Sequence, residues 1–180
     1  MKARKEAEPD VFIREAEADD ARALLGYIEV TSGETEFLAF GPGEFLLTEE
    51  EEAEFLEASR GSTNDVYLIA LIGDTIAGTL SFTGGHRHRS RHAGEFGMTV
   101  RKELWGQGIG SLLLDSLVAW ARSSGVVTKI NLQVRTDNRR AIELYERKGF
   151  GHEGRIVNSI RFQGTYYDSL SMGLMLTDDE

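Results

Sequence analysis

The sequence predicts an α/β protein of the α+β type, a mixed sheet of about seven strands flanked by four helices. Three observations lead there. Residues 95–113, EFGMTVRKELWGQGIGSLL, read as a strand, a glycine-rich turn and a helix in direct succession. Residues 129–150, KINLQVRTDNRRAIELYERKGF, repeat the pattern of strand then helix. The rest of the chain supplies alternating and apolar segments that complete the order β-α-α-β-β-β-α-β-α-β-β. No internal repeat, low-complexity tract or linker divides it. Residues 11–180 are therefore expected to form one domain behind a charged, flexible segment over 1–10.

Val11 to Arg14 is a candidate first strand, and Asp19-Asp20 stand where a helix cap belongs, with the helix expected to run to about Val30. Thr31 to Gly43 contains Gly33, Gly41 and Pro42 and reads as a loop. Thr48, with Glu51 three residues on, forms a capping box for a second helix, TEEEEAEFLEASR, and acids in its first turn suit the helix dipole. Phe55 and Leu56 are assigned to its core face and the glutamate run to solvent. Val66 to Ile72 and Thr75 to Thr83 form a hairpin across Gly73-Asp74. After a basic loop comes the strand Glu95 to Val100, with Phe96, Met98 and Val100 on one face and Glu95, Gly97 and Thr99 on the other. The following helix places Leu112, Leu113, Leu117 and Trp120 on its apolar face and ends at Ser124-Gly125. Lys129 to Val134 is the next strand. The helix after it carries Asn138, Ala141 and Tyr145 on one face and closes at Gly149-Phe150. Residues 151–176 read as two strands joined near Gln163-Gly164.

Composition excludes several classes. The chain has 180 residues, 41% of them hydrophobic, enough for one globular core. It has no cysteine, which removes disulfides, thiol nucleophiles and thiolate metal sites. No apolar run is long enough to cross a membrane and no signal peptide is visible, so a cytoplasmic protein without a membrane partner is expected. A net charge of −10 argues against a general nucleic-acid binder. The segment His86-Arg-His-Arg-Ser-Arg-His92 invites a metal reading. Its arginines repel a cation and no nearby acid completes a ligand set, so a solvated loop and no metal are expected.

The glycine turn looks like a phosphate cradle, because glycines let backbone approach a ligand and a helix start offers free N–H groups to an anion. Gly106, Gly108 and Gly110 do not fit the dinucleotide fingerprint, whose third glycine would fall on Leu113, and no Gly-Lys-Ser/Thr makes a P-loop. Arg101, Lys102, Arg139 and Arg140 flank the two strand–helix units and are candidates for a local positive patch, each with a plain surface charge as the alternative.

Together, Trp105-Gly106-Gln107-Gly108-Ile109-Gly110 and Asn138, Ala141, Tyr145, Gly149 and Phe150 resemble the two signatures of the GNAT superfamily of acyl-CoA-dependent N-acyltransferases, [RQ]-x-x-G-x-[GA] and N-x-x-A-x-x-x-Y-x-x-x-G-F. The resemblance is clearest from Glu95 to Phe150. It implies a GNAT-like sheet splayed between the Glu95 and Lys129 strands, with acetyl-CoA, as acyl donor, in the cleft. One departure stands out: Trp105 occupies the place of the usual arginine or glutamine.

The resemblance also implies roles. Tyr145 is the candidate general acid toward the departing thiolate, with packing on the sheet as its plainer alternative. Glu95 is the candidate base, an ordinary strand carboxylate otherwise. Met98 and Val100 would offer backbone groups to the pantetheine arm. Gly106, Gln107, Gly108, Ile109 and Gly110 would cradle the pyrophosphate through N–H groups, with a hydroxyl contact from Ser111. Asn138 and Ala141 would face the arm, Asn138 also capping its own helix. Glu29, Glu34, Glu36 and Asp168 are acids near the expected acceptor side. The implied function is acetyl transfer to the primary amine of a small molecule such as an amino acid or polyamine. A protein N-terminal or lysine acetyltransferase and a non-catalytic CoA-binding module stand beside it. Homodimerisation through the C-terminal hairpin edge is compatible with the resemblance.

Overall fold

The computed structural model describes residues 10–176, so all but the last residue of the expected flexible segment lies outside the described residues. The strands are β1 (Val11–Glu15), β2 (Asp65–Ile72), β3 (Thr75–Gly84), β4 (Ala93–Val100), β5 (Lys129–Arg135), β6 (Gly151–Phe162) and β7 (Thr165–Met175). The helices are α1 (Ala21–Glu34), α2 (Glu49–Arg60), α3 (Ile109–Ser124) and α4 (Arg139–Arg147). One seven-stranded sheet runs in the order β1-β2-β3-β4-β5-β7-β6. The β4–β5 pair is parallel and its neighbours are antiparallel.

Both faces of the sheet are covered, and β2 shows why its sequence is an unbroken apolar run. Val66, Leu68 and Ala70 point into a core beneath α3 and α4, with Leu113, Leu117, Leu132 and Phe150. Tyr67 and Ile69 point the other way, into a core beneath α1 and α2 with Leu24, Tyr27 and Leu56.

The parallel pair decides the shape of the molecule. Its register is set by the His92 carbonyl, which accepts from the N–H groups of Thr128 and Lys129 at 2.8 and 3.1 Å. Pairing then covers only Ala93, Gly94 and Glu95 against Lys129, Ile130 and Asn131. Beyond Glu95, β4 stays on β3 while β5 continues on β7, and the sheet splays between them.

Several local expectations are corrected. Helix α1 continues through Thr31 to Glu34, because the Thr31 hydroxyl donates to the Tyr27 carbonyl and the Ser32 hydroxyl to the Glu29 carbonyl, which satisfies both side chains within the helix. Asp20 does not cap α1 with its side chain. Its carboxylate accepts from the Glu17 N–H and pairs with Arg14 instead. The Thr48–Glu51 capping box of α2 is present in both directions. Phe55 stands largely exposed, edge-on to Tyr67, and the core face of α2 is Leu56. On α3 the buried stripe is Ile109, Leu113, Leu114, Leu117 and Ala121, while Leu112 faces solvent.

The glutamate run is not wholly solvated either. Glu52 is 1% exposed, and neither carboxylate oxygen has a hydrogen-bond partner. Burial raises its pKa above the ordinary 4.5. With the folded-state value raised, the site is best tolerated below the unfolded pKa and its cost grows as the pH rises through the folded one. Glu52→Met is accordingly expected to stabilise the protein at neutral pH by about 1–3 kcal/mol. Urea denaturation should show this gain shrinking in acid.

Candidate functional site

The splay opens a cleft of about 1320 Å³. One wall is β4 with the glycine turn. The other is the end of β5 with the start of α4. Where β4 leaves β5, its residues Phe96 to Val100 have no strand on that side, so backbone there is open to a ligand that pairs as a strand would.

The turn is built as the sequence suggests. Gly106 and Gly108 adopt φ of +84° and +85°, in the left-handed region that glycine alone enters readily. Gly108 is the N-cap of α3 and has no side chain to cap it, so the first N–H groups of a 16-residue helix stay available. A Cβ on Gly108 would meet nothing within 4 Å, whereas one on Gly110 would lie 3.3 Å from both Leu144 and Met98. Gly110 thus allows α3, α4 and β4 to approach closely.

Trp105 has two partners here. Its indole Nε1 donates to the Val100 carbonyl at 2.7 Å, tying the turn to the end of β4. Its ring carries the Arg140 guanidinium 5.1 Å above the centroid. The same guanidinium lies 3.7 Å from where a Cβ of Gly106 would be. A cation absent at position 105 is thereby delivered to the turn from α4. Free helix N–H groups, two open glycines and a stacked arginine form a donor set that fits a pyrophosphate.

Tyr145 lines the cleft and is 8% exposed. Its ring meets Phe96 and Phe150 edge-to-face, at centroid distances of 5.7 and 6.0 Å, and those two rings meet each other at 5.9 Å. This triad fixes the phenol in the first core cluster. Burial pushes its pKa up from 10.0 to about 12, further above neutral pH, where the phenol is protonated in either case. Glu95 lies at the apex of the splay, on the last paired rung, and accepts from Gln133 Nε2 at 3.3 Å across the opening. Asn138 caps α4, its side-chain oxygen accepting from the Ala141 N–H at 3.3 Å.

Met98, Val100, Trp105, Ile109, Ser111 and Ala141 also line the cleft with the glycines. Gln107 is not among the lining residues; it is exposed and its amide donates to the Glu103 carbonyl. Of the four acids considered for the acceptor, only Glu34 reaches the cleft, and it accepts from the Lys102 N–H. Glu29 accepts from the Gly43 N–H, and Glu36 is exposed outside the cleft lining. Asp168 is held below the ordinary carboxylate range by the Asn158 N–H and Arg155. The residues 86–92 are exposed at the far end of β4 from the glycine turn. No helix among the described residues is long and apolar enough to cross a membrane.

Sequence reasoning singled out none of Phe37, Leu38 and Phe40, which line the cleft from the segment 35–40, nor Arg135, which donates to the Glu36 carbonyl in that segment. The only sequence signal was aromatic residues in a stretch otherwise read as loop.

With this geometry in hand, comparison with known proteins becomes specific. The model of the Acetyltransferase (GNAT) family matches residues 32–150. The chain belongs to the GNAT family. A GNAT-family acetyltransferase structure from Streptococcus pneumoniae superposes with a TM-score of 0.90 at 34% identity, covering 93% of this chain and 100% of that one. The chain is 30% identical over 105 residues to the L-amino acid N-acetyltransferase AaaT of Escherichia coli, over 58% of this chain and 65% of the relative. It is 31% identical over 88 residues to the spermidine N(1)-acetyltransferase of Vibrio cholerae, over 49% of each. The matches thus span about half to two thirds of these curated relatives' length. The yncA structure from Salmonella typhimurium, with its cofactor acetyl-CoA, shares this GNAT fold with a TM-score of 0.81 at 20% identity, covering 94% of this chain and 95% of that one.

Asp137, beside the α4 cap, is held below its ordinary 3.8, chiefly by its hydrogen bonds from Arg135. A depressed value stabilises the fold fully above the unfolded pKa, and the contribution is lost as pH falls through the folded one. The Tm of Asp137→Asn is expected to lie below that of wild type at neutral pH, with the gap closing below pH 3.8, a trend calorimetry reads directly.

Proposed function

We propose that this GNAT protein is an N-acetyltransferase that binds acetyl-CoA along β4 and the glycine turn and passes the acetyl group to the primary amine of a small molecule. The observation that carries the reading is the meeting of the splay, the open glycine turn and the buried Tyr145 phenol in one cleft. The pyrophosphate would rest on the α3 N-terminus beside Arg140, and the pantetheine arm along the unpaired edge of β4, near Asn138 and Ala141.

In this reading the neutral amine nitrogen attacks the thioester carbonyl, forming the C–N bond, and the C–S bond breaks. The amine loses a proton to Glu95, directly or through water. The departing CoA sulfur receives a proton from Tyr145, which a phenol with a pKa of about 12 holds ready at neutral pH. A backbone N–H of the Met98–Val100 stretch polarises the carbonyl as charge builds on its oxygen. The net products are the N-acetyl amine and free CoA thiol.

A small acceptor is supported by the segment 35–40, whose Phe37, Leu38 and Phe40 add apolar surface to the cleft lining. The amino-acid and spermidine relatives also act on small amines by name. Acetylation of a protein N-terminus is the second reading. It is favoured by a structural neighbour from Brucella melitensis, a ribosomal-protein-alanine N-acetyltransferase, with a TM-score of 0.78 at 27% identity. We place the protein in the cytoplasm. Two copies would pair along the β6 edge, where Ile156 and Val157 stand exposed.

Thiol release from acetyl-CoA against amino acids, polyamines and short peptides tests the activity, with product mass identifying the acceptor. Tyr145→Phe is expected to lower kcat about 100-fold while the acetyl-CoA Kd stays within about twofold. An unchanged kcat would remove Tyr145 as the acid. Arg140→Ala is expected to raise the acetyl-CoA Kd about tenfold, as titration calorimetry would report.

A further inference from the structure

Arg135 ends β5 with a side chain that is 0% exposed. Each of its three guanidinium nitrogens donates a hydrogen bond. Nε and Nη2 donate to the two carboxylate oxygens of Asp137 at 3.0 and 2.7 Å, and Nη1 donates to the Glu36 carbonyl at 2.7 Å. The planar group stacks 3.7 Å from the Tyr167 ring centroid and 4.9 Å from that of Phe37. These contacts join β7, the residue just before the α4 cap, and a segment 99 positions earlier in the chain.

A buried cation is costly unless its partners are well placed, and an apolar side chain would fill the same space without that cost. An arginine here gives direction: three hydrogen bonds and two stacking faces in a fixed plane. What it fixes is the stretch after α1, which has no helix or strand to hold it. That stretch turns Phe37, Leu38 and Phe40 toward the cleft, and Phe40 is braced in turn against Phe45.

We propose that Arg135 is a positioning residue that fixes residues 35–40 as the apolar wall of the acceptor pocket, so that the preferred acceptor is a primary amine bearing an apolar group. The inference rests on the acetyltransferase reading of the cleft. Asp137 matters as the carboxylate that orients the guanidinium, and Phe37 as the ring it carries. Lysine cannot replace the fork or the stack.

The test compares wild type, Arg135→Lys and Phe37→Ala, the last keeping both members of the Arg135–Asp137 pair and removing one ring from the guanidinium. Thiol release is measured with L-leucinamide and with spermidine, acetyl-CoA affinity by calorimetry, and amide hydrogen exchange across residues 35–40. Wild type is expected to show a lower KM for L-leucinamide than for spermidine. Each variant is expected to raise the L-leucinamide KM about tenfold, with kcat within about threefold and acetyl-CoA Kd within about twofold. Exchange at 35–40 should quicken in Arg135→Lys. A retained L-leucinamide KM in both variants overturns the proposal. So does an acetyl-CoA Kd that rises in step with KM, or a wild-type preference for spermidine. Wild type that binds acetyl-CoA yet turns over neither amine overturns the apolar-amine assignment. Wild type that does not bind acetyl-CoA defeats the acetyltransferase reading itself. Exchange then judges the strut alone, and unchanged exchange at 35–40 in Arg135→Lys ends it.

Discussion

The structure depends on where two parallel strands stop pairing. Three rungs join β4 to β5, and then each strand keeps only its outer neighbour. Backbone groups along an opening of this kind need a partner, because a buried amide without one is costly. The protein answers this in two ways. The indole of Trp105 takes the Val100 carbonyl at the wide end, and the rest of the β4 edge faces a cleft in which a strand-like ligand fits. The narrow end is closed by glycine: a Cβ at Gly94 would fall 2.4 Å from the Thr83 carbonyl oxygen, so no other residue sits there without displacing β3.

Several residues that line the opening are held by packing contacts to neighbouring elements. The Phe96–Tyr145–Phe150 triad anchors the phenol to β4 on one side and to the end of α4 on the other. Gly110 brings α3 against Met98 and Leu144. Arg135 fastens the segment 35–40 to β5 and β7. The charge problem is solved locally as well. A chain of net charge −10 must receive the anionic donor of its proposed reaction. In the proposed reading it would do so with helix N–H groups and with Arg140, carried on the face of Trp105. With tryptophan at position 105, the cation beside the turn comes from the neighbouring helix.

Much of this was legible in the residues. The order of elements, the hairpin at Gly73-Asp74, the capping box at Thr48 and the glycine ends at Gly125 and Gly149 are all local, and local pattern fixes them. The residues of the cleft were legible for the same reason, since Gly106, Gly108, Asn138 and Tyr145 sit at set spacings on a turn and one helix. Where reading along the chain failed, a distant partner intervened. The end of α1 is the exception, since Thr31 and Ser32, placed in a loop for its glycines and proline, bond locally back into the helix. Glu52 reads as one solvated glutamate among four, and only the tertiary packing of α2, on α1 as well as on β2, buries it. Asp168 looks available for an ammonium until Arg155 and the Asn158 N–H are seen to hold it.

By itself, the sequence determined the family, the succession of strands and helices, and the two motifs that face each other across the opening. The elements follow from periodicity, glycine placement and capping, which act over a few residues, and the family from the resemblance of the two motifs to its signatures. Only the tertiary structure decided how the opening is lined: that Trp105 carries Arg140 to the turn, that burial raises the Tyr145 pKa, and that Arg135 reaches 99 residues back to the Glu36 carbonyl. Those facts depend on side chains brought together from separate segments, where desolvation and stacking geometry act on groups that spacing along the chain does not relate.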